Sequence, residues 1–249
     1  MAPHEPLYAL PMLYTKKLIG LAALGVLLVG CGSSDPDSAG AAEGAPAKGA
    51  AQESPAAEQK VLPVALDGSR PKVHERGAEE LKVTPKPGNS APFAERVEHK
   101  LRETVLGTAK VPGRTSAKCA DGVTLKAGAV SSCEATYEGA TIPYEVKISD
   151  SYKEGSFLTM YNTKAEKGLL VAETVYEEFW QQFGGPESAY PEASKLACDE
   201  LPAAEAVEVD ADTGHRCQLW NEHGNQGKGG YETYEVRIGG FGPSFRPAS

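Results

Sequence analysis

The chain has 249 residues, a formal net charge of −9 and five cysteines. Lys16, Lys17 and Glu5 place +1 in the first 31 residues, which leaves −10 beyond them. An acidic chain of this kind is a poor binder of nucleic acid or, directly, of an anionic membrane surface, and past residue 31 no apolar run reaches the about 20 residues that a spanning helix needs.

In chain order, Lys16 and Lys17 precede an apolar run of Leu, Ile, Val, Gly and Ala over 18–29. A positive segment followed by a short apolar one is a secretory signal. Leu28-Val29-Gly30-Cys31 then resembles the lipobox of bacterial lipoproteins. The resemblance implies cleavage before Cys31, a diacylglyceryl group on its thiol, and a mature chain that begins there. Two acyl chains hold a protein stably where one does not, so the expected partner is the cell membrane, with the rest of the chain on its extracytoplasmic side. Pro3, Glu5 and Pro11 do not suit a signal, which makes Met12 an alternative start to Met1. There is no twin-arginine pair, so the general secretory route is expected.

Residues 32–89 read as tether and linker. As far as about residue 60 the composition is Ala, Gly, Ser, Pro, Gln and charged residues, too polar to offset the entropy of ordering, and disorder is expected. Over 61–89 Val61, Leu62, Val64, Leu66, Leu81 and Val83 are broken by Pro63, Pro71, Pro85 and Pro87. This predicts extended linker with at most one edge strand.

A first unit is expected over 90–168. Ser90-Ala91-Pro92 offers an N-cap with Pro just inside a helix. Phe93, Val97, Leu101 and Val105 recur every fourth residue, and Gly107 closes the pattern. A strand over Val130–Tyr137 meets a turn at Glu138-Gly139. Ile142, Tyr144, Val146 and Ile148 alternate with polar residues as in a half-buried strand, and 156–161 reads as a third strand after Gly155.

The same grammar returns over 169–249. Val171, Val175, Phe179 and Phe183 form a second ladder, ended by Gly184-Gly185. Val105 precedes Cys119 by 14 positions and Phe183 precedes Cys198 by 15. Tyr144-Glu145-Val146-Lys147-Ile148 is matched by Tyr234-Glu235-Val236-Arg237-Ile238. This predicts a divergent repeat whose last strand, holding only Phe241 and Phe245, is short or irregular. With Cys31 given to lipid, Cys119, Cys133, Cys198 and Cys217 read as two disulfides in an oxidising compartment. Three pairings are open in principle. The repeat favours Cys119 with Cys133 and Cys198 with Cys217, each worth roughly 3 kcal/mol to a small unit. The expected fold class is α+β: one or two small units, each an amphipathic helix on an antiparallel β-meander with its own disulfide.

Cys119, Leu125, Gly128, Cys133, Gly139, Tyr144, Val146 and Ile148, behind an amphipathic helix, resemble a domain family of unknown function from secreted and lipid-anchored actinobacterial proteins. The likeness covers about residues 90–162. Ala120 stands where that family often has Pro after the first Cys. It implies a small disulfide-bonded α+β domain with no established catalytic set. A looser likeness, of architecture alone, is to the secreted β-lactamase inhibitory proteins, with two tandem helix-plus-sheet units.

Chemistry is sparse. Asp212-Thr213-Gly214 matches the tripeptide of aspartic proteases, but those need two copies in apolar surroundings, and a hairpin turn is the better reading. Asp210, Asp212 and Gly214 hint at a calcium loop, yet Asn221 stands where a bidentate Glu belongs. His215 and His223 lack the Cys-x-x-Cys or His-x-x-x-His spacing of a metal site, and His215 with Cys217 makes no nucleophile pair if that Cys is committed to a disulfide. No metal, cofactor or catalytic residue is expected. Residues 224–230 read as a mobile loop. Trp180, Trp220, Tyr176, Tyr190 and Tyr231 are the aromatics of interest; Tyr176 and Trp180, on a helix, are ascribed to packing more than to contact, whereas Trp220 and Tyr231 are the expected binding surface. The expected function is non-enzymatic: a surface-anchored module binding an extracytoplasmic protein or an envelope polymer. The alternatives are an inhibitor of an extracellular enzyme or a cell-wall hydrolase.

Overall fold

A computed structural model describes residues 60–190 and 192–248. The signal segment, Cys31 and the tether as far as residue 59 lie outside the described residues.

The expected linker is the first correction, because 61–89 is built into the fold. Val64–Leu66 forms β1, pairing antiparallel with residues 196–198 of a strand more than a hundred positions later. Leu66 is buried there, and a 3₁₀ turn, Glu79–Leu81, buries Leu81 and Val83 elsewhere. Apolar side chains spaced among prolines suit an extended chain that fills gaps, even though they carry no periodicity. The one expected edge strand is β1 itself.

Helix α1, Phe93–Ala109, carries the first ladder, with Val97, Leu101 and Val105 fully buried. Pro92, not Ser90, stands at its N-cap. Gly107 lies inside it, and the helix ends at Lys110, whose N–H still donates to the Leu106 carbonyl while its own backbone turns left-handed. Strands β2 (Thr115–Lys118), β3 (Val130–Tyr137), β4 (Ala140–Ile148) and β5 (Tyr161–Ala165) form an antiparallel sheet in chain order. Glu138 and Gly139 join β3 to β4 with φ of 47° and 93°, the two positive values that a two-residue hairpin requires. The strand expected at 156–161 starts instead at Tyr161, because residues 149–160 form a loop closed by the Ser149 N–H to Met160 carbonyl bond.

The second unit repeats this order. After β6 (Gly168–Leu170), helix α2 (Ala172–Phe183) buries Val175, Phe179 and Phe183. Strands β7 (Ala193–Cys198), β9 (Asp212–Asn221), β10 (Gly230–Gly239) and β11 (Gly242–Pro247) form the second meander, with β1 on its outer edge. A short β8, Glu205–Val207, pairs with β6. Strand β11 is regular, paired with β10 along all six residues, because Phe245 packs onto the core.

Each disulfide ties the start of a meander: Cys119, directly after β2, to Cys133 on β3, and Cys198 on β7 to Cys217 on β9. The registers match as well. Cys133 lies opposite Tyr144, and Cys217 opposite Tyr234. The fold is therefore α+β, with a helix, a meander and a disulfide in each unit. The two units interlock in one compact body. Leu169 and Val171 enter the first core while Leu170 enters the second. The Thr174 hydroxyl donates to the Ala109 carbonyl, and Lys110 Nζ pairs with Glu178 at 2.6 Å.

Candidate functional site

All four cysteines of the folded part are in disulfides, so none is a thiolate for metal or catalysis. Among the described residues no group of three or more His, Cys, Asp or Glu is placed to hold a metal ion. Asp212, Thr213 and Gly214 are not a hairpin turn. They begin β9 at a bulge, where the pairing with β10 slips between Glu235 and Arg237. Gly214 supplies a φ of 83° there, and the Thr213 hydroxyl donates to the Val236 carbonyl at 2.7 Å. Arg216 grips both Asp212 oxygens at 2.8 and 2.9 Å and holds that carboxyl below the usual carboxylate range. The acid is thus tied into an ion pair. His215 faces Glu205 at 3.7 Å.

Trp220 and Tyr231 lie opposite each other on β9 and β10, on the sheet face turned away from α2. Their rings meet edge to face, with centroids 5.2 Å apart and planes at 77°. Lys195 Nζ sits 4.8 Å above the indole centroid, a cation–π contact. The bulge in β7 between Ser194 and Ala197, where Lys195 has a φ of 48°, sets its direction. Gly229, with φ of 73°, brings its backbone against the indole, and a Cβ there would lie 2.6 Å from Trp220 Cζ2. Trp220 is therefore half-buried rather than a free platform. The 224–230 loop leads to Gly229 through left-handed backbone at Asn225 and Gln226.

On the opposite face of the same sheet end lies a cleft of about 300 Å³ lined by Tyr190, Ala193, Leu219, Asn221 and Glu232. Both oxygens of Glu232 are held, one by Asn221 Nδ2 at 2.7 Å and the other by the Tyr234 hydroxyl at 3.2 Å. Burial and this carboxylate push the Tyr234 phenol up to about 12. At the rim, His223 Nε2 stands 3.2 Å from Glu192. The Tyr190 ring leans on Phe183, with centroids 4.9 Å apart. Such a cleft offers a fixed carboxylate acceptor and an aromatic wall to a ligand bearing hydroxyl or amine groups. Tyr176 serves the core, as expected: its hydroxyl donates to the Asp199 carbonyl and accepts from the Leu201 N–H. Lys195, Asn221 and Glu232 were not legible as site residues, because only the strand register brings them to Trp220, Tyr190 and Tyr234.

The charge is segregated between the units. Residues 90–168 carry +1 and residues 169–249 carry −9. Compared with family models, with curated proteins and with solved structures, the chain matches none.

Proposed function

We propose that this chain is a lipoprotein anchored through Cys31 on the extracytoplasmic side of the cell membrane, and that its folded part is a non-enzymatic binding module. Its ligand is an extracytoplasmic protein or an envelope polymer rich in hydroxyl or amine groups. The observation that carries the binding role is the Glu232–Asn221 cleft at one end of the second sheet, with the Trp220–Tyr231–Lys195 cluster on the other face of that same end. Two disulfides suit an oxidising compartment. The likeness to the actinobacterial family adds a fold to this reading and no activity.

The test is binding of the mature, lipidated protein to isolated envelope polymer and to secreted proteins. Tyr231→Ala and Glu232→Gln should each weaken binding about tenfold, the scale of a hot spot. Binding that both variants leave intact overturns the site. A Cys31 without acyl groups, read by mass spectrometry of the mature N-terminus, overturns the anchor. The tandem helix-and-sheet units with one disulfide each also favour a second reading, inhibition of an extracellular enzyme, to which the same surface would be presented.

A further inference from the structure

The two larger sheets leave four edges among the described residues, and the unpaired N–H and carbonyl groups of an edge are a template for another strand. In an antiparallel ladder alternate residues bond to the partner, and those between them turn their backbone groups outward. Three of the four edges are blunted. β1 is three residues long and turns only Ala65 outward, with Pro63 at the next outward position. β2 turns Thr115 and Ala117 outward, but side chains of α1 lie along that edge: Glu98 accepts the Cys119 N–H at 2.8 Å, and Arg102 Nε donates to the Thr115 hydroxyl at 3.3 Å. In β11 the bond from the Ala248 N–H to the Thr233 carbonyl fixes the even-numbered residues as those joined to β10. Its outward residues are therefore Pro243, Phe245 and Pro247, and a proline has no N–H to give.

The fourth edge, β5, is open. Bonds from the Ser149 N–H to the Met160 carbonyl and from the Glu166 N–H to the Pro143 carbonyl fix the even-numbered residues as those joined to β4. Tyr161, Thr163 and Ala165 therefore turn three N–H groups and three carbonyls outward, and among the described residues none of the six has a partner. No proline or bulge interrupts them. Lys164, the one charged residue of the strand, lies opposite Glu145.

We propose that β5 pairs antiparallel with β5 of a second copy of this chain, across a two-fold axis through Thr163. The occupant follows from the self-complementarity that an isologous contact demands. The register centred on Thr163 satisfies all six groups: Thr163 meets Thr163 of the partner subunit, and Tyr161 meets the partner's Ala165. The side chains agree with it. On the core side a bulky Tyr161 falls beside a small alanine, and two β-branched threonines meet. On the outer side Lys164 falls beside Asn162 of the partner subunit, away from like charge. Centring the pair on Lys164 would set lysine against lysine, and centring it on Asn162 would leave the groups of Ala165 unused. The joined sheet doubles the four strands of the first unit, an ordinary size. Five residues of strand are less than a standard interface, so the dimer is weak and depends on concentration. The inference concerns the folded part alone and stands whether or not Cys31 carries lipid.

The test uses the mature chain with Cys31→Ser, which carries no acyl groups. Sedimentation equilibrium up to about 1 mM should show monomer and dimer in exchange, and amide exchange at Tyr161, Thr163 and Ala165 should slow as the dimer fraction rises. Thr163→Pro deletes an outward donor and leaves the bonds to β4 in place. It should keep the circular dichroism and both disulfides, and weaken the dimer at least about tenfold. Two substitutions at the exposed Asn162 test the register by sign, without touching the backbone. Asn162→Glu, opposite Lys164 of the partner subunit, should tighten the dimer about threefold, and Asn162→Lys should loosen it by a similar factor. A chain that stays monomeric to about 1 mM overturns the proposal and leaves the edge to an extended segment of another protein. A dimer that Thr163→Pro and both Asn162 variants leave unchanged forms elsewhere on the molecule and overturns it as well.

Discussion

The two units share a topology but differ in almost everything that fills it. In the first, α1 packs aliphatic side chains, Val97, Leu101 and Val105, against Ile142 and Val146. In the second, α2 builds an aromatic stack in which Phe179, Phe183, Tyr234 and Phe245 lie 4.7 to 6.2 Å apart. Their net charges have opposite signs. What persists is the helix ladder, the Cys pair tying the start of the meander, and a Tyr opposite the second Cys of each pair. Topology thus follows from periodicity and staples, and the core tolerates a change of chemistry so long as volume is filled. The surfaces are then free to diverge, one toward an open sheet edge, the other toward a polar cleft.

The largest effect should come from the one segment that serves both units. Starting the chain at Ser90 removes Leu66 from the second core and Leu81 and Val83 from the first. It also takes from Glu177 two of its three partners, the Ser69 hydroxyl and the Arg70 N–H, and leaves Gln181 Nε2. The expected loss is about 5 kcal/mol or more, on the scale of a whole domain's stability. Urea unfolding of this chain against one starting at Lys60 measures it. If only one unit loosened, the linker would belong to that unit alone.

Single core truncations come next. Phe179→Ala should cost about 3–5 kcal/mol and Leu101→Ala about 2–5 kcal/mol. Because β6 sends alternate residues into the two cores, each variant should lower a single shared transition. Two separate transitions in calorimetry would show that the units unfold independently.

Much of the repeating frame is legible in the sequence itself. Val171, Val175, Phe179 and Phe183 announce α2, and the two Tyr-Glu-Val-basic-Ile strings announce equivalent strands. What escaped was non-local or set by register. Strand β1 is three residues among prolines, and only its distant partner β7 makes it a strand. Residues 156–161 read as a strand, yet Phe157 and Leu158 are exposed on a loop. Asp212-Thr213-Gly214 reads as a turn, but the bulge needs β10 to define it. Trp220 and Tyr231 were legible as aromatics of interest. The hold of Gly229 on Trp220 was not, nor was the hold of Asn221 and Tyr234 on Glu232, since strand pairing creates those contacts.

Alkaline pH offers a finer comparison. Burial raises the phenols of Tyr137 and Tyr144, in the first unit, and of Tyr234, in the second, from 10.0 to about 12. The folded state holds the phenolic proton more tightly than the unfolded one. The stability this contributes is complete below pH 10 and is lost as pH rises toward 12. Chemical denaturation from pH 9 upward should therefore show a falling midpoint. Tyr144→Phe and Tyr234→Phe should each flatten that slope, and removing both first-unit phenols should flatten it more than removing Tyr234. A slope indifferent to all three would place its origin elsewhere.

The smallest effect separates two glycines with opposite duties. Gly107 sits inside α1, where glycine is costly, and an added Cβ would meet only Arg76 Cγ, at an ordinary 3.5 Å. Gly107→Ala should therefore stabilise the chain by about 0.5–1 kcal/mol. Gly168 begins β6 at the seam between the units, and a Cβ there would lie 2.8 Å from Ile238 Cγ2 and 3.3 Å from the Ile238 carbonyl oxygen. Neither neighbour can withdraw freely, since Ile238 is buried and its carbonyl accepts from the Asp210 N–H. Gly168→Ala should destabilise, by about 1–3 kcal/mol. Measured side by side in urea, the two substitutions should shift the midpoint in opposite directions. A stabilising Gly168→Ala would mean that the seam between the units has room to relax, and that they are less firmly interlocked than the shared strand β6 implies.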